Sequence, residues 1–381
     1  MPLNKIRLGY NSVPAKAKKL VLEVFNSGQF SPGIKVREFE EKFAALHKAK
    51  HAVFVNSGTD ALRLGLLALK EKYAWKDGDL VAVTTQTFVA TVNVILQSGL
   101  TPFFYDNGNP WSLEHILNTS PEKPNIVAVM PVHLFGKPCD PRIYQTAKER
   151  GWKVLEDSCE TILNPIRGNV SCHSTYMAHH LVTGVGGFVL THDHEIADLI
   201  RSYANHGRNI AYLPGHRTPP LSKQLLQKRF LFERSGYSSR GTEFEAALGL
   251  SQLDDLHVNV HKRREVAAKL CKALWPWYAK FQMDEPNLHP RHTFMMFPMI
   301  AKEGYRFDKY KFCLHLEKRG IETRDLMPIT SQPSFKALVK ESDYPSSDYS
   351  NKNGFYLPIN PGMTDRDIAQ IRRAFKSYLQ K

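Results

Sequence analysis

Closely spaced cysteines are missing from this 381-residue sequence: its five, Cys139, Cys159, Cys172, Cys271 and Cys313, are odd in number and scattered, and none forms a CxxC pair. Zinc or cluster binding by neighbouring thiolates is therefore unsupported, and a chain of this length does not need a disulfide framework to fold. Long apolar runs are missing too. No stretch approaches the ~20 apolar residues of a membrane span, and the start, MPLNKIRLGYNSV, lacks the apolar core of a signal peptide. A third absence is any long arm of like charge, although 51 Lys plus Arg stand against 37 Asp plus Glu, a formal charge of +14. The basic residues come in short groups, such as Lys16, Lys18, Lys19 and Lys262, Arg263, Arg264. Such groups read as solvated helix faces rather than a nucleic-acid footprint, with a smaller share available to line a pocket for a small polyanion. The expectation is a reduced, cytoplasmic, soluble protein without a nucleic-acid or membrane partner.

What is present suits an ordinary globular enzyme: 42% hydrophobic residues, 11% aromatics, and 23 Gly and 23 Pro spread along the chain. Between about residues 50 and 190, short β-branched or aromatic runs alternate with helical patterns. The runs are AVFV at 52–55, LVAV at 80–83, TPFFY at 101–105, NIVAVMPV at 125–132 and KVLE at 153–156, with helical segments such as TDALRLGLLALKEK and FVATVNVILQSG between them. This alternation predicts an α/β fold with a mainly parallel sheet covered by helices, and ligands in such sheets bind at the carboxyl ends of the strands. A long amphipathic segment begins at Thr242, and the pattern changes beyond it to strands around HTFMMFPMI and a helix FDKYKFCLHLEKRG. The expected division is a large domain with the N-terminal segment, 1–255, and a smaller α/β C-terminal domain, 256–381. Residues 209–234, with three prolines and many basic residues, read as a long loop or excursion.

Three segments can carry chemistry. Asn56-Ser57-Gly58-Thr59-Asp60 follows the first core strand and opens a helix, whose free N–H groups suit a phosphate, although capping alone explains such a turn. Glu156-Asp157-Ser158-Cys159-Glu160 ends an apolar strand, where a carboxylate can pair with a protonated ring nitrogen or simply face solvent. Ser174 to Gly187 holds the adjacent pair His179 and His180 before a Gly-rich turn; no HxxxH or nearby partner completes a metal set.

In order and spacing, these segments resemble the DegT-type family of nucleotide-sugar aminotransferases and dehydratases, fold type I enzymes dependent on pyridoxal 5'-phosphate (PLP) or pyridoxamine 5'-phosphate. The resemblance runs through GQFSPGIKVREFEEKFA, NSGTDAL, TTQTFVATVNVI, PVHLFG, LEDSCE, the HH segment with GVGG, NHGR, GYSSR with EFEAALGLSQL, RDLMPITSQPSF and GFYLPINPGMTD. It implies that Gly58, Thr59 and Ser174 hold the cofactor phosphate, that Phe88 stacks on the pyridine, and that Asp157 keeps the ring nitrogen protonated. It places Glu160 where Gln or His usually stands beside the ring hydroxyl. It also implies a homodimer, with Ser238 standing in for an Asn that reaches the neighbouring subunit's phosphate. Gln29, Arg240 and His180 are expected on the sugar side.

One departure dominates. The family's Schiff-base lysine lies seven residues before the first glycine of the Gly-Gly pair, and here that position is His179. Imidazole cannot form that bond, and no lysine occurs between Asp157 and Gly207. A branch of the family with His at this place removes the C3 hydroxyl of nucleotide-linked 4-keto-6-deoxyhexoses. A histidine, with an ordinary pKa of ~6.5, can take the proton and return it to the departing hydroxyl. One type in the branch uses an iron–sulfur cluster needing four thiolates, yet only Cys271 and Cys313 follow His179. The resemblance therefore implies the cluster-free, colitose-pathway type, with glutamate as amino donor. An aminotransferase with a displaced base and a non-catalytic nucleotide-sugar-binding relative are the alternatives. Further departures are a short stretch between Glu160 and Ser174 and Val185 at an often acidic position.

Overall fold

The computed structural model describes residues 5–9, 13–106, 126–210, 222–287 and 290–380. The first strand, β1 (His51–Val55), is followed by α3 (Gly58–Lys72), after two N-terminal helices, α1 (Ala15–Ser27) and α2 (Ile34–Leu46). Helix α3 forms because Ser57 Oγ accepts the Asp60 N–H at 3.1 Å, capping its start, while Lys70 and Lys72 oppose the dipole at its end. Its apolar positions, including Ala61, Leu64 and Leu69, are buried against the sheet. Then come β2 (Leu80–Thr84), α4 (Val89–Gln97), β3 (Thr101–Tyr105), β4 (Ile126–Met130), β5 (Lys153–Asp157), β6 (Val170–Ser174) and β7 (Gly187–Thr191).

These strands make one seven-stranded sheet in the order β1-β7-β6-β5-β4-β2-β3. Pairs β2 with β3, β2 with β4, β4 with β5 and β5 with β6 are parallel, whereas β7 runs antiparallel to both β6 and β1. Six strands therefore point one way and β7 alone is reversed. The carboxyl ends of the six and the start of β7 meet along one edge of the sheet, where the expected ligand crevice lies. Sequence-predicted strands match β1 to β5 within a few residues; β6 and β7 were not among them.

The segment after Thr242 divides into a helix Glu243–Leu250, a tight turn Leu253–Asp255 and a helix Leu256–Leu274. A second, four-stranded antiparallel sheet has the order β10-β11-β9-β8, from β8 (Phe281–Met283), β9 (Phe297–Ala301), β10 (Arg324–Asp325) and β11 (Gly354–Leu357). Phe281, Phe297, Phe312, Phe355 and Phe375 are fully buried and pack with Leu270 and Ile371 as its core. Ile6 joins that core from the other end of the chain: its N–H donates to Gly320 O at 2.7 Å, and its carbonyl accepts from Glu322 N at 3.1 Å. Residues 211–221 of the expected excursion lie outside the described residues, and its later part carries a short helix, Lys223–Lys228. Among the described residues no helix is long and apolar enough to cross a membrane.

Candidate active site

A cavity of about 520 Å³ opens where the strand ends converge. Each segment on its wall is delivered by the sheet: Ser57, Gly58 and Thr59 after β1, Thr87 and Phe88 after β2, Val132 and Leu134 after β4, and Asp157, Cys159 and Glu160 at the end of β5. Ser174 ends β6, and Tyr176, His179, Val185 and Gly186 come from the loop before β7. The small sheet closes the far side with Met295, Met296, Met327 and Tyr356.

The cradle at α3 needs its glycine. A Cβ on Gly58 would stand 2.7 Å from Ser174 Cβ and 3.1 Å from Cys159 Sγ, so a side chain there would collide with the serine hydroxyl's support. Backbone N–H groups at the start of a capped helix beside a hydroxyl form a ready anion site.

Asp157 is buried at the end of β5, and its carboxylate accepts Thr91 Oγ1 at 2.7 Å and the Cys159 N–H at 3.2 Å. Thr91 bonds in turn to Thr87 Oγ1 at 2.7 Å, Thr91 lying in the first turn of α4 and Thr87 just before its N-cap Phe88. Such support fixes the direction in which a carboxylate faces a ligand. Phe88, at the cap of α4, is 57% exposed, so its ring face is uncovered within this chain.

The histidine loop is held from several sides. Thr175 N donates to Gly186 O at 3.0 Å, Thr183 N to Thr175 O at 2.9 Å, and the two threonine hydroxyls meet at 2.6 Å. Gly186 has φ +144°, and a Cβ there would stand 2.5 Å from Thr175 Oγ1. Gln252, beyond helix Glu243–Leu250, clamps the loop: its Oε1 accepts Val182 N at 3.1 Å and its Nε2 donates to Val182 O at 2.6 Å. His179 is thereby set on the cavity wall, half-buried. Burial lowers its pKa to about 4; the Cys159 backbone opposes this and the Arg263 charge adds to it. The imidazole is accordingly neutral near pH 7. No lysine lines the cavity among the described residues.

Glu160 Oε2 accepts the Phe135 N–H at 2.6 Å, and burial, joined by the neighbouring Asp157 charge against that hydrogen bond, raises its pKa to about 8. His180 turns away from the cavity. Its Nε2 meets Thr293 Oγ1 at 3.0 Å and Glu160 O at 3.2 Å, and burial holds its pKa well below the usual value.

Of the residues picked from sequence, Gly58, Thr59, Phe88, Asp157, Glu160, Ser174 and His179 share the cavity wall. Ser238, Arg240 and Gln29 are exposed and stand off it, Arg240 reaching Ser238 Oγ at 3.4 Å and Gln29 reaching Ser31 Oγ at 2.8 Å. Sequence reasoning missed Thr91, Gln252 and the small-sheet wall. Thr87 and Thr91 at helical spacing were a legible signal; Gln252 and the methionines left none.

The donor set fits a pyridoxal-type phosphate: a glycine-dependent cradle for the phosphate, a buried carboxylate for a ring nitrogen, and an uncovered aromatic face. Residues 12–376 match the DegT/DnrJ/EryC1/StrS aminotransferase family. The spore coat polysaccharide biosynthesis protein SpsC of Bacillus subtilis is 31% identical, with 94% of this chain and 93% of that protein covered. GDP-perosamine synthase of Escherichia coli O157:H7 is 29% identical over 96% of each. Among solved structures, E. coli GDP-4-keto-6-deoxy-D-mannose-3-dehydratase with bound hydrated PLP superposes with a TM-score of 0.87 at 24% identity, covering 98% of this chain and 99% of that one. At that identity the likeness speaks for the fold.

Proposed function

Because the chain belongs to the DegT/DnrJ/EryC1/StrS aminotransferase family, we propose that it works with PLP and its pyridoxamine form as a 3-dehydratase of a nucleotide-linked 4-keto-6-deoxyhexose. The observation that carries this reading is His179 on a cavity wall where, among the described residues, no lysine stands. When bound, the cofactor supplies an amine that condenses with the C4 ketone and a ring that accepts electrons.

The chain's own residues do the rest. Gly58 and Thr59 N–H groups and the Ser174 hydroxyl would hold the phosphate, Asp157 would pair with the ring nitrogen, and Phe88 would cover the ring. His179, neutral because burial lowers its pKa, would take one proton from the methylene carbon of the amine-form cofactor onto its imidazole and give it to the C3 oxygen, which leaves as water. A lysine amine would instead favour return of the proton at C4 and an amino sugar. Glutamate restores the amine form in this scheme. The product is a 3-deoxy sugar of the kind built into surface polysaccharides such as O-antigen.

The working unit in this proposal is a homodimer, in the cytoplasm. Ser238, Arg240 and Gln29, exposed in one chain, are then presented to the neighbouring site. A second reading, nucleotide-sugar aminotransferase, draws on the likeness to GDP-perosamine synthase. One assay separates them: the purified protein is incubated with PLP, glutamate and GDP- or CDP-linked 4-keto-6-deoxy sugars, and the product mass is read. Loss of the C3 oxygen is expected; gain of an amine establishes the second reading, and no turnover leaves a binding protein.

A further inference from the structure

With His179 at the place of the lysine, no covalent bond ties the cofactor of the preceding section to the chain, so its retention rests on noncovalent contacts alone. Two carboxyls stand three positions apart on the cavity wall, in unequal surroundings. Asp157 accepts two hydrogen bonds, from Thr91 and Cys159. Glu160 accepts one at its carboxyl, from Phe135 N, on a tight turn in which Phe135 adopts φ +59°. Its backbone is held separately, by His180 Nε2 on its carbonyl. The wall around them is apolar, with Leu134, Met295 and Met296.

We propose that Glu160 is carried as the neutral acid and that its carboxyl O–H donates a hydrogen bond to the anionic ring oxygen of the bound cofactor, making cofactor retention sensitive to alkaline pH. This inference rests on the cofactor reading above. Two adjacent buried carboxyls do not both ionise cheaply, and the one with fewer donors keeps the proton. Burial and the Asp157 charge put the Glu160 midpoint at about 8. The other groups facing it are Cys159 and Tyr356, both pushed up by burial, and His179 and His180, both pushed down. None of these four changes charge near that midpoint. Above it, an ionised Glu160 would lose its donor and set its charge against both Asp157 and the ring oxygen.

The test titrates PLP into the apo forms of the wild type, Glu160→Gln and Glu160→Ala at about pH 7 and about pH 9, reading cofactor absorbance. Only the protonated fraction binds well, so wild-type affinity should fall about tenfold between these values. Glu160→Gln, an isosteric neutral donor, should match the wild type at the lower pH and keep its affinity at the higher one, while Glu160→Ala should bind weakly at both. The infrared difference spectrum of the wild type between the two pH values should show loss of a protonated-carboxyl band, which needs no variant to fold. A Glu160→Gln protein that follows the wild-type pH dependence, or binds worse than wild type at the lower pH, overturns the proposal, as does absence of the infrared change. Failure of the wild type to take up PLP at either pH overturns the cofactor reading along with it.

Discussion

The two sides of the cavity that flank Ser174 are built to different rules. On one side, Gly58 and Thr59 sit at a helix start packed so closely against Ser174 and Cys159 that only glycine fits. On the other, the loop from Thr175 to Gly186 is an excursion between β6 and β7, pinned by threonine hydroxyls and Gln252. The first side can hold an anion and do nothing more. The second presents one imidazole, and in the proposed reaction the identity of that single residue decides which bond is broken. On that proposal binding and reaction type are separable within one cavity, and substitutions on each side should have separable effects.

The largest effect is expected from His179→Asn. Removing a general base costs about 10²–10⁴-fold in turnover, while PLP affinity should change little; a variant that turns over normally would break the division. Next comes Gly58→Ala, which crowds Ser174. Overpacking costs about 1–3 kcal/mol, so PLP affinity should drop about tenfold to a hundredfold, measured by cofactor titration, with a melting curve to exclude unfolding. Gln252→Leu strips Val182 of two partners, at about 1–3 kcal/mol for buried groups left unsatisfied. It should lower kcat more than it weakens PLP binding, because it loosens the histidine loop and leaves the cradle alone. The smallest effect is in pH. His179 must be unprotonated to act, its pKa is lowered to about 4, and its share of the activity is lost as pH falls through that value. At saturating cofactor the acid limb of the pH–rate profile should lie below the ordinary histidine value and move in the Gln252→Leu variant; an acid limb that stays put in that variant would break the link between the loop clamp and the base.

Much of the large sheet was legible because β1 to β5 are short runs rich in Val, Ala, Phe and Ile, with the apolar-faced helices α3 and α4 between the first three. TPFFY at 101–105 corresponds to β3 residue for residue. Strand β6 was not legible, since Val-Ser-Cys-His-Ser shows neither a β-branched run nor an apolar alternation, and is a strand only because β5 and β7 pair with it. The cavity residues contributed by glycine turns and strand ends follow from local pattern. Met295, Met296, Met327 and Tyr356 come from a second sheet whose placement no local pattern encodes. His180 shows the limit at single-residue scale: adjacent residues in a turn face different ways, and only the packed loop tells which one meets the cavity.

The contact of Ile6 with Gly320 and Glu322 has a consequence for synthesis. A chain emerges at about 5–20 residues per second, so Ile6 must wait roughly 15 to 60 s for Gly320 and Glu322, the partners that will seat it, to be made. Ile6 is therefore seated late, and a disturbance of the chain beside it would be felt in the core of the small sheet, which is built from the far end of the sequence.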